Sequence, residues 1–91
     1  MMEVFSLHRE MDGEEGERCR VRYALTEDSC GRERCYGILC CAEGCEERPG
    51  RCCQLPGLLE SRGLGILLVE YLARREVTPV QLEDILVELL P

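Results

Sequence analysis

Apolar residues recur at two different periods along this chain, and the change of period separates a sheet-forming part from a helix-forming part. Residues 2–8 (MEVFSLH) alternate weakly, as a short strand does. From Arg18 the alternation is strict, with Cys19, Val21, Tyr23 and Leu25 on one face and Arg18, Arg20 and Arg22 on the other. Period two sustained in this way marks a half-buried strand, placed at 18–26. Between the two lies Asp12–Gly16, a polar segment punctuated by glycine that reads as a turn. Asp28-Ser29-Cys30-Gly31 supplies the next turn, and Tyr36, Ile38 and Cys40 carry the apolar face through a strand at 34–42. A longer loop, Glu43 to Gly50, leads to a short strand at 51–55.

These faces suggest a register. Tyr23 is expected opposite Tyr36, Val21 opposite Ile38 and Cys19 opposite Cys40. In the following hairpin Leu55 is expected opposite Ile38, and Cys53 opposite Cys40. A slip of one residue would set the apolar set against Arg20 and Arg22, so the pairing is constrained. The expectation is an antiparallel meander with one covered face and one wet face.

After Pro56-Gly57 the period changes to that of a helix. Leu64, Leu67, Leu68, Tyr71 and Leu72 form one stripe of a helix at 62–75. Gly63 and Gly65 suggest that it starts late or frays, since glycine costs about 1 kcal/mol relative to alanine inside a helix. Arg74 and Arg75 suit its C-terminal end. Thr78-Pro79-Val80-Gln81 then reads as an N-cap, a proline at N1 and a capping-box glutamine, opening a second helix at 79–90. Val77 and Leu82 are placed to form a hydrophobic staple, and the inner stripe is Leu82, Ile85, Leu86 and Leu89. Thr78→Ala is expected to cost about 1 kcal/mol. The short connection favours two helices folded back on each other.

The fold class is therefore α+β: a small antiparallel meander of three to four strands, followed by an αα-hairpin packed on one face. With 91 residues there is room for a single domain spanning 1–91, with a thin core. Phe5, Tyr23, Tyr36 and Tyr71 are the only aromatic residues, so that core rests on Leu, Val, Ile and Cys.

This arrangement resembles a family of short, uncharacterised bacterial proteins, mostly from Firmicutes, known as a domain of unknown function. The resemblance rests on Tyr23-Ala24-Leu25, Tyr36-Gly37-Ile38, Leu68-Val69-Glu70-Tyr71-Leu72 and the segment Val77 to Asp84, and covers roughly residues 20–90. It implies a bacterial cytoplasmic setting and a sheet-plus-helices fold, and supplies no catalytic residues. The dense cysteines depart from the family pattern.

Charge and candidate chemistry narrow the function classes. The net charge is −7, which disfavours nucleic-acid binding. Six of the acids fall in residues 1–17, against Arg9 alone. No basic leader precedes an apolar run, and Leu64–Ala73 is too short to cross a bilayer, so a cytoplasmic location away from membranes is expected. The eight cysteines at 19, 30, 35, 40, 41, 45, 52 and 53 admit three readings: packing thiols, a metal site or disulfides. A Cys-x-x-Cys knuckle is absent and His8 is the single histidine, so packing thiols are favoured over zinc. The metal candidates are Cys19, Cys40 and Cys53 on one sheet face, and Cys41, Cys45 and Cys52 on the other.

Arg18, Arg20, Arg22, Arg32 and Arg34 read as a solvated stripe paired with acids, because an RNA-binding sheet needs aromatics on the same face. Ser6, Ser29 and Ser61 lack plausible partners for nucleophilic catalysis, and an enzyme is not expected. Ile66, Val69, Val80, Val87 and Leu90 fall off the main helical stripes and are candidates for an interaction surface, facing a protein partner or a second copy. The function expected is that of a small non-enzymatic interaction or regulatory module. A cysteine-based metal-binding or redox-sensing protein, and an acidic inhibitor of a nucleic-acid-binding protein, are the alternatives.

Overall fold

The structure is a computed structural model that describes residues 2–12, 18–43 and 51–90, apart from the side chain of Cys30. It is an α+β fold: a four-stranded antiparallel sheet in the order β1-β2-β3-β4, followed by two helices. The strands are β1 (Met2–Asp12), β2 (Arg18–Cys30), β3 (Glu33–Ala42) and β4 (Cys52–Leu59). The helices are α1 (Arg62–Arg74) and α2 (Pro79–Leu89). The elements are those expected, and all four strands are longer. β1 continues until Asp12 pairs with Arg18, after a bulge at Val4. The rest of the predicted turn, residues 13–16, together with residue 17 and the loop residues 44–50 with Cys45, lies outside the described residues.

The β3–β4 register is as predicted, with Ile38 opposite Leu55 and Cys40 opposite Cys53. The β2–β3 register is not. Tyr23 faces Cys40, Leu25 faces Ile38 and Val21 faces Ala42. The turn sits on Gly31-Arg32 instead of Ser29-Cys30, and Gly31 has φ +70°. A two-residue hairpin loop needs a residue of positive φ at its first central position, and Gly31 meets that need without steric cost. The displacement is an even number of residues, so every side chain keeps its predicted face.

β4 also runs past Pro56-Gly57, where a helix approach was expected. Proline is tolerated on an edge strand, and Gly57 (φ +67°) absorbs a bulge between the Leu55 and Leu59 pairings. At this bulge β4 presses on Gly37. A Cβ there would lie 2.5 Å from the Leu55 carbonyl oxygen and 2.6 Å from Pro56 Cα. Thr26, beside Gly37, is fully buried as a result, and so is Ala24. The face away from the helices is thus covered at its centre, not uniformly wet.

α1 begins at Arg62, capped by Ser61, whose Oγ accepts from the Leu64 N–H at 3.3 Å. It does not start late, and Gly65 is a contact point: a Cβ there would lie 2.5 Å from Leu25 Cδ1. The helix settles onto the sheet at that glycine, which sets its rotation. Gly65, Val69, Leu72 and Ala73 are buried, and Leu64 and Leu67, predicted inward, are exposed.

α1 closes in a Schellman motif, with Glu76 N–H bonded to the Ala73 carbonyl and Val77 N–H to the Leu72 carbonyl, both at 3.1 Å. Glu76 takes the left-handed position, φ 52°. Next, Gln81 Oε1 accepts from the Thr78 N–H at 3.2 Å, and Val77 and Leu82 are both buried, as the staple requires. The two helices connect as a hairpin but are not packed on each other. No Cα of one lies within 8 Å of a Cα of the other; α1 spans the sheet and leans on β1 and β2, and α2 lies on β3 and β4. The sheet, in its fully buried row Tyr23, Leu25 and Ile38, is what joins them.

Candidate functional site

Because α2 sits beside β4 and apart from α1, it leaves grooves on both flanks. Toward β4, Leu55, Leu58, Glu83, Leu86, Val87 and Leu90 line a groove of about 510 Å³. Toward α1, Tyr71, Val77, Ile85 and Leu89 with Arg75, Gln81 and Glu88 line one of about 320 Å³. Arg75, whose guanidinium carbon lies 5.2 Å from the Tyr71 ring centre, gives the second groove a polar lining together with Gln81 and Glu88. The first is mainly apolar and opens onto an edge strand.

The predicted surface residues divide. Val80 and Val87 are 71% and 72% exposed. Leu90 is half-buried and lines the α2–β4 groove. Ile66 is half-buried against the core, and Val69 is fully buried within it, for the reason already given: α1 is rotated so that the Gly65 side faces the sheet. Leu64 and Leu67 are exposed in their stead. Leu58, which helps complete the groove, was missed because β4 was expected to end at Leu55, and Leu55 itself was read only as a partner of Ile38.

The cysteines separate by face and by depth. Cys19 pairs across the sheet with Met11 and Cys40 with Tyr23, so the three-thiol row Cys19–Cys40–Cys53 does not form. Two cross-strand pairs do: Cys40 opposite Cys53 on the helix side, and Cys41 opposite Cys52 on the other. Cys35 is disulfide-bonded, whereas Cys19, Cys40, Cys41, Cys52 and Cys53 are not. Among the described residues no three of His, Cys, Asp and Glu are gathered closely enough to hold a metal ion.

Cys40 is fully buried and its thiol approaches the Val77 carbonyl oxygen at 3.7 Å. Burial pushes its pKa up to about 12. The Tyr23 hydroxyl donates to the same oxygen at 2.5 Å, and burial likewise drives its pKa upward. These two groups tie the hinge between the helices to the middle of the sheet.

On the other face the arginine stripe is paired with acids. Arg18 reaches Glu10 (3.2 Å) and Asp12 (3.4 Å), and Arg22 bonds Glu3. Arg20 (3.6 Å), Arg22 (4.0 Å) and His8 (2.7 Å) all meet Glu43. Arg34, on the helix side, meets Glu27 at 2.8 Å. Several acids of the N-terminal segment are thus taken up by the sheet's own cations. Exposed pairs of this type contribute only tenths of a kcal/mol each. Ser61 is accounted for as a helix cap.

No helix among the described residues is long and apolar enough to cross a membrane. No curated protein and no solved structure matches the chain. The model of a family of unknown function (DUF6514) matches over residues 2–91, and the chain belongs to that family.

Proposed function

We propose that the protein is a non-enzymatic interaction module whose contact surface is the β4-facing side of α2, and that its partner is a protein segment with an apolar ridge flanked by basic residues. The observation that carries this reading is the apolar α2–β4 groove of about 510 Å³ continuing onto exposed Val87. The choice of partner follows from charge. α2 carries Glu83, Asp84 and Glu88 and no basic residue, and Glu83 stands in the groove wall. In a two-fold dimer through this face the same patch meets itself, setting acids against acids. A segment carrying Arg or Lys beside its apolar side chains meets no such penalty. The resemblance to short bacterial proteins supports a bacterial cytoplasmic setting for this partner.

A labelled amphipathic peptide of leucine and lysine, titrated into the intact protein at physiological salt, tests the reading. Val87→Glu adds negative charge and removes apolar contact. Attraction by charge alone would make this variant bind more tightly. Docking in the groove predicts weaker binding by about tenfold, since a buried valine contributes about 1.5 kcal/mol. Equal or tighter binding by Val87→Glu refutes the proposal, as does a concentration-dependent dimer in light scattering that Val87→Glu disperses.

A further inference from the structure

The geometry points to Cys41 and Cys52 as a thiol–disulfide exchange site, one that reacts with low-molecular-weight disulfides of the glutathione class and closes a bond between β3 and β4. The inference is independent of the groove on the opposite face. It rests first on register. Cys41 stands directly opposite Cys52, and the Ala42 N–H donates to the Arg51 carbonyl at 2.7 Å. That bond makes 42 and 51 a hydrogen-bonded position, so the adjacent pair 41 and 52 occupies the narrow, non-hydrogen-bonded site. There Cα atoms lie about 4.5 Å apart and side chains are closest, within the roughly 4.4–6.8 Å that a disulfide spans.

The second support is a contrast with the neighbouring pair. Cys40 and Cys53 occupy the wide site, where Cα atoms are about 5.5 Å apart. Cys40 is sealed in the core, and burial raises the pKa of both thiols, suppressing the thiolate that exchange requires. Cys52 is exposed and can meet a small disulfide directly, whereas Cys41 is buried and is reached only through its partner across the strand pair. Arg22, whose guanidinium is held charged first by its hydrogen bond to Glu3, stands opposite Cys41 on its other side.

The chemistry runs in two displacements. The Cys52 thiolate attacks one sulfur of the small disulfide, forming a mixed disulfide and releasing one small thiolate. The Cys41 thiolate then attacks the Cys52 sulfur and displaces the second. Two protein thiols are oxidised to one disulfide and one small disulfide is reduced to two thiols, whose sulfurs recover the protons lost from Cys41 and Cys52.

The test is equilibration of the intact protein with glutathione disulfide, followed by quenching and fragmentation mass spectrometry, on the natural sequence, Cys52→Ser and Cys53→Ser. Both substituted positions are at least partly exposed, so the fold should survive. The natural sequence and Cys53→Ser should each lose two hydrogens in a new bond assigned to Cys41 and Cys52, and reduction should restore them. Cys52→Ser should form no such bond. A bond that survives Cys52→Ser, one that disappears in Cys53→Ser, or glutathione adducts without any intramolecular bond would each overturn the assignment.

Discussion

Gly65→Ala offers the sharpest test of how α1 meets the sheet, because local and tertiary effects predict opposite signs. Seen as a helix position, the change should stabilise by up to about 1 kcal/mol. In the fold, the new Cβ would lie 2.5 Å from Leu25 Cδ1, 3.0 Å from Cδ2 and 3.3 Å from Cγ. A methyl end can often swing aside, but Leu25 is 0% exposed and hemmed in by the core. Relief therefore means lifting the helix or forcing Leu25 off its rotamer, at about 1–3 kcal/mol. The net expectation is destabilisation by up to about 2 kcal/mol, a fall in Tm of several degrees for a domain of this size.

Gly63→Ala is the internal control. The nearest atom to a Cβ there is Ser61 Oγ at 3.9 Å, so only the propensity gain remains and stability should rise by a few tenths of a kcal/mol. Urea or thermal unfolding of the two variants beside the natural sequence gives the comparison. Gly65→Ala as stable as Gly63→Ala would refute both the rotation of α1 and the account of why Val69 is inside.

Three further outcomes follow from the hinge. Glu76→Gly should stabilise by about 0.5–1 kcal/mol, read as a higher urea midpoint: it relieves the left-handed conformation at φ 52°, and that gain exceeds the entropy cost of glycine. The Arg9–Glu76 pair it removes is half-exposed and contributes little. Tyr23→Phe should cost about 1–2 kcal/mol, since it leaves the Val77 carbonyl with the longer Cys40 contact alone; an unchanged melt would show that the hinge is not tied through this bond. Cys40 and Tyr23 both titrate higher in the fold than in the open chain, so their contribution is fully present below the unfolded pKa and lost as pH rises through the folded one. Stability should accordingly fall as pH climbs from 9.0 toward about 12, with a shallower fall in Tyr23→Phe. Equilibrium unfolding across that range measures the slope, and a flat profile would contradict the burial of both groups.

What the sequence made legible follows a physical division. Side-chain face is encoded in every second residue, so the covered row of Val21, Tyr23, Leu25, Ile38 and Cys40 could be read directly. Register across β2 and β3 is encoded at one point only, the residue able to take positive φ, and centring the turn two residues early moved every partner while leaving every face intact. Metal and redox readings depend on register more than on face. The row Cys19–Cys40–Cys53 dissolved with the β2–β3 pairing, whereas Cys41 opposite Cys52 stood on the correctly read β3–β4 pairing.

The helices show a different limit. α2 was read well over its first two turns because its cap, staple and stripe are all local, and its exposed Val80 and Val87 followed from that stripe; Leu89, placed on the inner stripe, is 43% exposed at the helix end. α1 was read with its inward stripe rotated, so that Leu68, Tyr71 and Leu72 do meet the core but Leu64 and Leu67 do not. Its sheet contact runs through a residue with no side chain, and a periodicity of apolar residues cannot register a glycine that serves as a contact. Once Gly65 is counted as inward, the stripe Gly65, Val69, Leu72, Ala73 is as regular as the one first chosen. Leu64 and Leu67 then become surface for the same reason that Val69 becomes core. The same splay that lets each helix settle separately on the sheet also opens the groove beside α2. The surface proposed to bind a partner is thus a consequence of how closely α1 and α2 fit β1–β4, and variants that relax the Gly65 contact should leave the groove intact while lowering stability.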